Sequence, residues 1–311
     1  MVDISGVHHV AIGVKNLRIM KSFYQNILGF TEIFEEFDES EQNIMSEIVR
    51  SPHPVFGGII MGQKSDGILL ELIRKTSPVA RPIRDDFRYG DIGVAKITIA
   101  VTDINQIFEK LKSTVKFCAE PKIVALPELG NVSFVYCRDP EGNLVELVSM
   151  PGVNTGDLFG GVRSIGISVT DLDRSIAFYK GLPGFNVIIQ EKHEDYNGLV
   201  DEVSGNEGTM VRSCLLSAKG KPNGMVELFE VLKPRGRSIP FSANWGDFGY
   251  LQICFSCDNI SGIVSYGKES GIHFLCEPKL METKAPEKQG EFVYALDPDG
   301  IPIEFLNLPA F

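Results

Sequence analysis

The sequence predicts an α+β fold: four copies of a β-α-β-β-β unit, paired into two open eight-stranded barrels. Three observations carry this. The chain repeats itself at half its length, since VHHVAIGVKNLRIMKSFYQNILGF (7–30) aligns without a gap to VRSIGISVTDLDRSIAFYKGLPGF (162–185), and RDPEGNLVELV (138–148) aligns to LDPDGIPIEFL (296–306). Each half repeats again more weakly, with apolar strand-like runs at 9–14, 96–101, 164–169 and 252–257, each followed by an Asx residue and an amphipathic stretch. Each unit then closes on an apolar run that contains a glutamate, at 68–73, 143–148, 225–231 and 301–306.

The elements follow in order. Asn16, Asp103, Asp171 and Asn259 stand where a side-chain oxygen can accept from the orphan amides of a first helical turn, so each is a natural N-cap. The first helix carries Leu17, Met20, Phe23, Tyr24, Ile27 and Leu28, the stripe of a helix with one buried face. In the second and fourth units an Asp-Pro-Glu/Asp-Gly turn leads into the closing strand, with Pro and Gly at the positions a tight turn requires. Helices cover one face of each sheet and leave the other free to curve round a cavity. Residues 1–155 read as a first two-unit domain and 156–311 as a second, joined through the turn-forming stretch PGVNTG (151–156).

Composition narrows the function classes. With 30 Lys+Arg against 41 Asp+Glu, the 311-residue chain carries −11 charges, which disfavours nucleic-acid backbones and anionic lipid. No run reaches the roughly 18 apolar residues of a membrane span, and the start MVDISGVHHV lacks a basic leader, which points to a cytoplasmic protein. Six cysteines are too few for a disulfide framework, and Cys254 and Cys257 on one strand point to opposite faces, so buried free thiols are expected. The expected partner is a small-molecule substrate, with association into a homodimer left open.

Alternation places Glu71 with Leu69 and Ile73 on one strand face, and Glu146, Glu227 and Glu304 on the corresponding faces of the other closing strands. A carboxylate among apolar neighbours is costly to bury unless it is paired or bound to a metal. Seven residues before each Asx cap stand His9, Lys96, Ser164 and Gln252, which share one orientation, while His8 points toward the helix as a structural residue. His, Gln and Glu can all ligate a divalent first-row metal.

These residues resemble the vicinal oxygen chelate superfamily, which includes glyoxalase I, methylmalonyl-CoA epimerase, extradiol dioxygenases and bleomycin-resistance proteins. The resemblance rests on His9-Val10-Ala11-Ile12 with Asn16-Leu17, Phe23-Tyr24 with Leu28-Gly29-Phe30, and Asp139-Pro140-Glu141-Gly142 ahead of Glu146. The second half repeats it with Phe178-Tyr179, Gly184-Phe185 and Asp297-Pro298-Asp299-Gly300 ahead of Glu304. It implies a metal held by one first-strand residue and one closing glutamate from each of two paired units. Sequential pairing would group His9, Glu71, Lys96 and Glu146, and separately Ser164, Glu227, Gln252 and Glu304. Exchanged pairing would group His9, Glu71, Gln252 and Glu304, leaving Lys96, Glu146, Ser164 and Glu227 as a degenerate site. The exchanged form is preferred: a lysine cation is a poor ligand, and the connectors 74–93 and 233–249 are long enough to cross.

The expected cofactor is therefore one divalent transition metal (Ni, Co, Fe, Mn or Zn) on His9, Glu71, Gln252 and Glu304, with Glu71 or Glu304 as catalytic base. The expected reaction is isomerase or lyase chemistry by proton abstraction next to a carbonyl, through an enediolate. A metal-free binding protein is the alternative. Extradiol ring cleavage is a further one, disfavoured because it needs two histidines, and His273 would serve only in another register. The cations Arg74, Lys75, Arg81, Arg84 and Arg88 read as a solvated connector rather than as a mouth for anionic substrates.

Overall fold

The computed structural model describes residues 2–64, 67–84, 86–126, 130–152, 155, 157–194, 199–218, 224–240, 242–281 and 289–308. Unit one contains β1 (Ile4–Gly13), α1 (Leu17–Asn26), β2 (Glu32–Glu41), α2 (Ser46–Val49), β3 (Val55–Gly62) and β4 (Leu69–Ser77). Unit two contains β5 (Gly93–Val101), α3 (Ile104–Leu111), β6 (Lys116–Phe117), β7 (Lys122–Leu126), β8 (Gly130–Arg138) and β9 (Leu144–Ser149). Unit three contains β10 (Phe159–Ser168), α4 (Leu172–Gly181), β11 (Val187–Glu194), α5 (Leu199–Ser204), β12 (Met210–Ser217) and β13 (Met225–Lys233). Unit four contains β14 (Gly249–Cys257), α6 (Ile260–Ser270), β15 (His273–Phe274), β16 (Lys279–Leu280), β17 (Glu291–Leu296) and β18 (Pro302–Asn307).

All four Asx residues cap their helices. Asn16 accepts from the Ile19 amide, Asp103 from Asn105 and Gln106, Asp171 from Arg174, and Asn259 from Gly262. In α1, Met20, Phe23 and Tyr24 turn inward, as the apolar stripe requires.

The strands form two nine-stranded sheets, neither closed into a barrel, with path orders β15-β17-β18-β14-β1-β4-β3-β2 and β11-β12-β13-β10-β5-β9-β8-β6. The ninth strand of each is half of a broken one: β15 and β16 both pair with β17, and β6 and β7 both pair with β8. Pro278 and Pro121 stand at the two breaks. Proline has no amide hydrogen for the ladder and interrupts it there.

Each sheet joins units from opposite halves of the sequence. β1 runs antiparallel to β14 with Ala11 opposite Gln252, and β5 runs antiparallel to β10 with Lys96 opposite Gly166. Units one and four therefore share one sheet and units two and three the other, which is the exchanged arrangement. The halves 1–155 and 156–311 are repeats of the sequence, while each sheet draws on both. Of the stretch 151–156 between them, positions 153, 154 and 156 lie outside the described residues.

The repeat motifs bind the two sheets together. Tyr24 on α1 donates to Asp139 at 3.0 Å, and Tyr179 on α4 donates to Asp297 at 3.1 Å. Glu141, in the turn after Asp139, accepts from the Lys15 and Asn16 amides at 2.7–3.0 Å, and Asp299 accepts from the Thr170 amide at 2.9 Å. The Phe-Tyr and Asp-Pro motifs are thus the two ends of one cross-sheet clasp.

The basic stretch is not a solvated connector: Arg74 and Lys75 lie on β4, Lys75 is buried, and most of the stretch's charges are paired. Arg74 pairs with Glu39, Lys75 with Asp247, Arg84 with Asp91 and Arg88 with Asp86. The six cysteines are free, five of them buried. Among the described residues no helix is long and apolar enough to cross a membrane.

Candidate metal centre

The four central strands of the first sheet, β4-β1-β14-β18, each supply one of the expected residues: Glu71, His9, Gln252 and Glu304. The ladder register puts all four on one face: Ala11, two residues from His9, stands opposite Glu71 and Gln252, and Cys254, two residues from Gln252, stands opposite Glu304. The Nε2 atom of His9 lies 3.4 Å from a Glu71 carboxylate oxygen and 3.3 Å from one of Glu304. Gln252 Nε2 donates to the same Glu304 oxygen at 2.8 Å, and Gln252 Oε1 accepts from the indole N–H of Trp245.

His9 Nε2 is buried and makes no hydrogen bond, although two carboxylates stand beside it. The carboxylates lie in ion-pair range of it. His9 Nε2 thus stands near one oxygen of each glutamate, donor types that suit a divalent cation. Donors about 2.1 Å from one ion stand roughly 3 Å or a little more apart, which matches the observed spacings. Burial opposes the charged form of His9, but Cys254, Glu304 and Glu71 outweigh it and raise its pKa well above the ordinary histidine value.

His8 departs from the expected orientation. Strand alternation should turn it away from His9, but the β1–β14 register slips between Val7 and His9. The two rings meet edge to face with 5.2 Å between centroids, and their Nδ1 atoms are 2.9 Å apart. Burial, reinforced by His9, pushes His8 down to about 3, so it is neutral near pH 7. With Cys254 these two histidines also place ligand atoms within 4.8 Å of one another. Cys254 is two residues beyond Gln252 on β14, so alternation alone could have flagged it.

A family model described as Glyoxalase/Bleomycin resistance protein/Dioxygenase superfamily matches residues 6–147 and 161–305. The chain belongs to this superfamily. Two crystal structures of glyoxalase I from Zea mays, the first of a mutant, align with TM-scores of 0.67 and 0.64. Their identities are 18% and 17%, and both alignments cover 99% of this chain and 92% of the maize chain. A putative dioxygenase from Bacillus subtilis subsp. subtilis str. 168 aligns with a TM-score of 0.59 and 13% identity, covering 99% of this chain and 86% of that one. At these identities the shared property is the fold. No curated protein matches the chain in sequence.

The second sheet of this superfamily member repeats the arrangement with two changes, Ser164 at the position of His9 and Lys96 at that of Gln252. Glu227, Ser164, Lys96 and Glu146 come from β13, β10, β5 and β9. The fully buried Lys96 ammonium lies 2.8 Å from Glu146, 2.9 Å from Glu227 and 3.1 Å from the Tyr136 hydroxyl. Burial disfavours its charge, but Glu146 and Glu227 overcome that and raise its pKa well above 10.5. Gly166 makes room for it, because a Cβ there would stand 2.5 Å from Lys96 Cγ. A tethered cation thus lies between this pair of carboxylates.

A cavity of about 770 Å³ lies elsewhere, between the crossover connectors, with Pro82, Ile83, Phe87, Trp245, Phe248 and Tyr250 in its wall. Trp245 links it to the first sheet's cluster through Gln252. Donor geometry, not cavity size, identifies the chemical centre here. Trp245 sits in an irregular connector, where no periodicity could have marked it.

Proposed function

We propose that the chain is a metal-dependent isomerase or lyase that removes a proton next to a carbonyl, using a divalent transition ion held by His9, Glu71 and Glu304, with Gln252 beside them. The observation that carries this reading is the buried, unbonded Nε2 of His9 facing two carboxylates at 3.3 and 3.4 Å. When bound, such an ion polarises neighbouring substrate oxygens and stabilises the negative charge left as the proton departs.

The protein groups divide the remaining work. His9 supplies a nitrogen ligand through its neutral imidazole. Glu304 is tied to Gln252 and its side chain is 9% exposed, whereas that of Glu71 is 13% exposed. Glu71 is the better base: it can take the proton at its carboxylate and return it to a neighbouring substrate atom. The substrate class is a small molecule with a hydroxyl beside a carbonyl, which offers two adjacent oxygens to the centre.

The donor set does not favour ring-cleaving dioxygenase chemistry, which uses two histidines and one carboxylate. His8 faces the opposite nitrogen of His9, and His273 is exposed on the short β15.

The reading is tested by loading the protein with Ni²⁺, Co²⁺, Mn²⁺ or Zn²⁺ and following α-hydrogen exchange of hydroxycarbonyl compounds in D₂O by NMR. Exchange should occur in the loaded protein and fall by roughly 100-fold or more in Glu71→Gln, the usual scale of a lost general base. Equal exchange in loaded wild type and Glu71→Gln would refute the assignment.

A further inference from the structure

The geometry points to Glu35 as a specificity residue that selects a substrate with a positively charged end. This inference rests on the metal-centre reading above and names the substrate class of that site: a hydroxycarbonyl compound that carries an ammonium group.

The ladder register places Glu35. On β2 it stands opposite Ile60 of β3, and Ile60 stands opposite Glu71 of β4. Directly opposed residues on adjacent strands share a face, so Glu35 is on the face of Glu71. Glu36, the next residue, points the other way: its carboxylate accepts from the Lys21 ammonium of α1 at 2.8 Å, on the helix-covered side. Adjacent strands lie about 4.8 Å apart, so two strands set the backbone of Glu35 about 10 Å from that of Glu71. Glu35 thus borders the metal centre at the distance of a substrate's far end.

Its charge lacks a counterpart. Among the described residues no cation and no hydrogen-bond donor pairs with the Glu35 carboxylate, whereas Glu36, Glu39 and Glu41 on the same strand pair with Lys21, Arg74 and His53. Partial burial, reinforced by the charge of Glu71, raises the Glu35 pKa above the ordinary glutamate value. An opposite charge brought in by a ligand stabilises a carboxylate in that setting.

The surface beside it suits an alkylammonium. Phe37, two residues further along β2, packs edge to face on Phe56 with 6.3 Å between centroids, and Phe56 packs on Trp245 at 5.0 Å. Aromatic rings next to a carboxylate favour a cation that carries apolar substituents. In the second sheet the same register position is Gln190, opposite Leu215 and through it Glu227. The neutral residue thus accompanies the sheet that holds Lys96, and the charged one the sheet that holds His9.

Two straight-chain hydroxyketones test this, one ending in a trimethylammonium group and one in a tert-butyl group of the same shape without the charge. Binding is measured by calorimetry, and α-hydrogen exchange by NMR in D₂O, on Co²⁺-loaded wild type, Glu35→Gln and Glu36→Gln. Wild type should bind the cationic compound about fivefold more tightly, the upper range for a partly exposed ion pair. Glu35→Gln should bind both compounds equally, with its exchange rate at saturation unchanged, because the lost contact holds bound substrate and transition state alike. Glu36→Gln should keep the preference. Equal binding of the two compounds by wild type, no binding of either, or a preference that survives in Glu35→Gln would overturn the proposal. So would an equal loss in Glu36→Gln, which would trace the preference to the general field of the acidic strand. A preference that depends on Glu35, found without any exchange, would instead remove the isomerase or lyase reading and keep the role of Glu35 in binding, a distinct failure.

Discussion

Asp297 shows how one side chain ties a sequence motif to a measurable property. Burial pushes its carboxyl up from the ordinary aspartate range to about 7, despite hydrogen bonds from the Ile301 and Asp299 amides and from Tyr179. Between about pH 4 and 7 the folded protein holds a proton that the unfolded chain has released. The contribution of this group to stability is therefore greatest below about pH 4 and declines as pH rises toward 7. Urea midpoints should fall more between pH 5 and 7.5 in wild type than in Asp297→Asn, and an equal fall in both would contradict this. At the same scale, His9 and the glutamate positions were legible, because a fixed offset from the Asx cap and simple alternation determine their face. His8 and Cys254 read as structural residues rather than neighbours of His9, and Trp245 carried no signal. A register slip reversed the expected direction of His8, the alternation that marked Gln252 was not carried two residues further to Cys254, and Trp245 lies in an irregular connector.

Among the elements, the paired central strands decide what each sheet can bind. β4-β1-β14-β18 leaves two carboxylates around a histidine, while β13-β10-β5-β9 places a lysine ammonium between its two. Removing one partner from a buried ionic group typically costs about 3–5 kcal/mol. Lys96→Met should therefore be destabilised by an amount of that order, and millimolar Mn²⁺ or Zn²⁺ should restore part of the loss by entering between Glu146 and Glu227. Thermal melts with and without the ion provide the check. A variant as stable as wild type, or one that gains nothing from the ion, would show that Lys96 does not stand in for a metal. The expectation of a degenerate site here follows from the position of Lys96, whereas the breaks at Pro121 and Pro278 are not part of the sequence reading. Both prolines stand in plain view, in KFCAEPKI (116–123) and HFLCEPKL (273–280), but the unit was read as four uninterrupted strands.

Across the whole molecule, the exchanged pairing brings the first and last strands of the chain together. β1 and β14 are hydrogen-bonded neighbours, and β18 lies beside β14, so His9 and Glu304 meet across 295 positions of sequence. An ion binding only the folded state stabilises it by mass action. Metal should raise the melting temperature of wild type, and the rise should disappear in both His9→Ala and Glu304→Ala. Full retention of the rise in Glu304→Ala would detach that residue from the centre. The fold class and the four-unit repeat were legible because each unit restates the same caps, turns and closing strands. Pairing was only weakly legible. It depends on which connector crosses and on clasps such as Tyr24–Asp139 and Glu141 with the Lys15 amide, which join residues more than 100 positions apart.

The central claim is that this chain has one metal seat, in the sheet shared by its first and last units. Equilibrium dialysis against Co²⁺, with metal counted per chain, tests it most directly in wild type, Glu304→Gln and Glu227→Gln. The account predicts one tight equivalent in wild type, one in Glu227→Gln, and a large loss of affinity in Glu304→Gln. Two tight equivalents in wild type, or equal affinity in Glu304→Gln and Glu227→Gln, would contradict it.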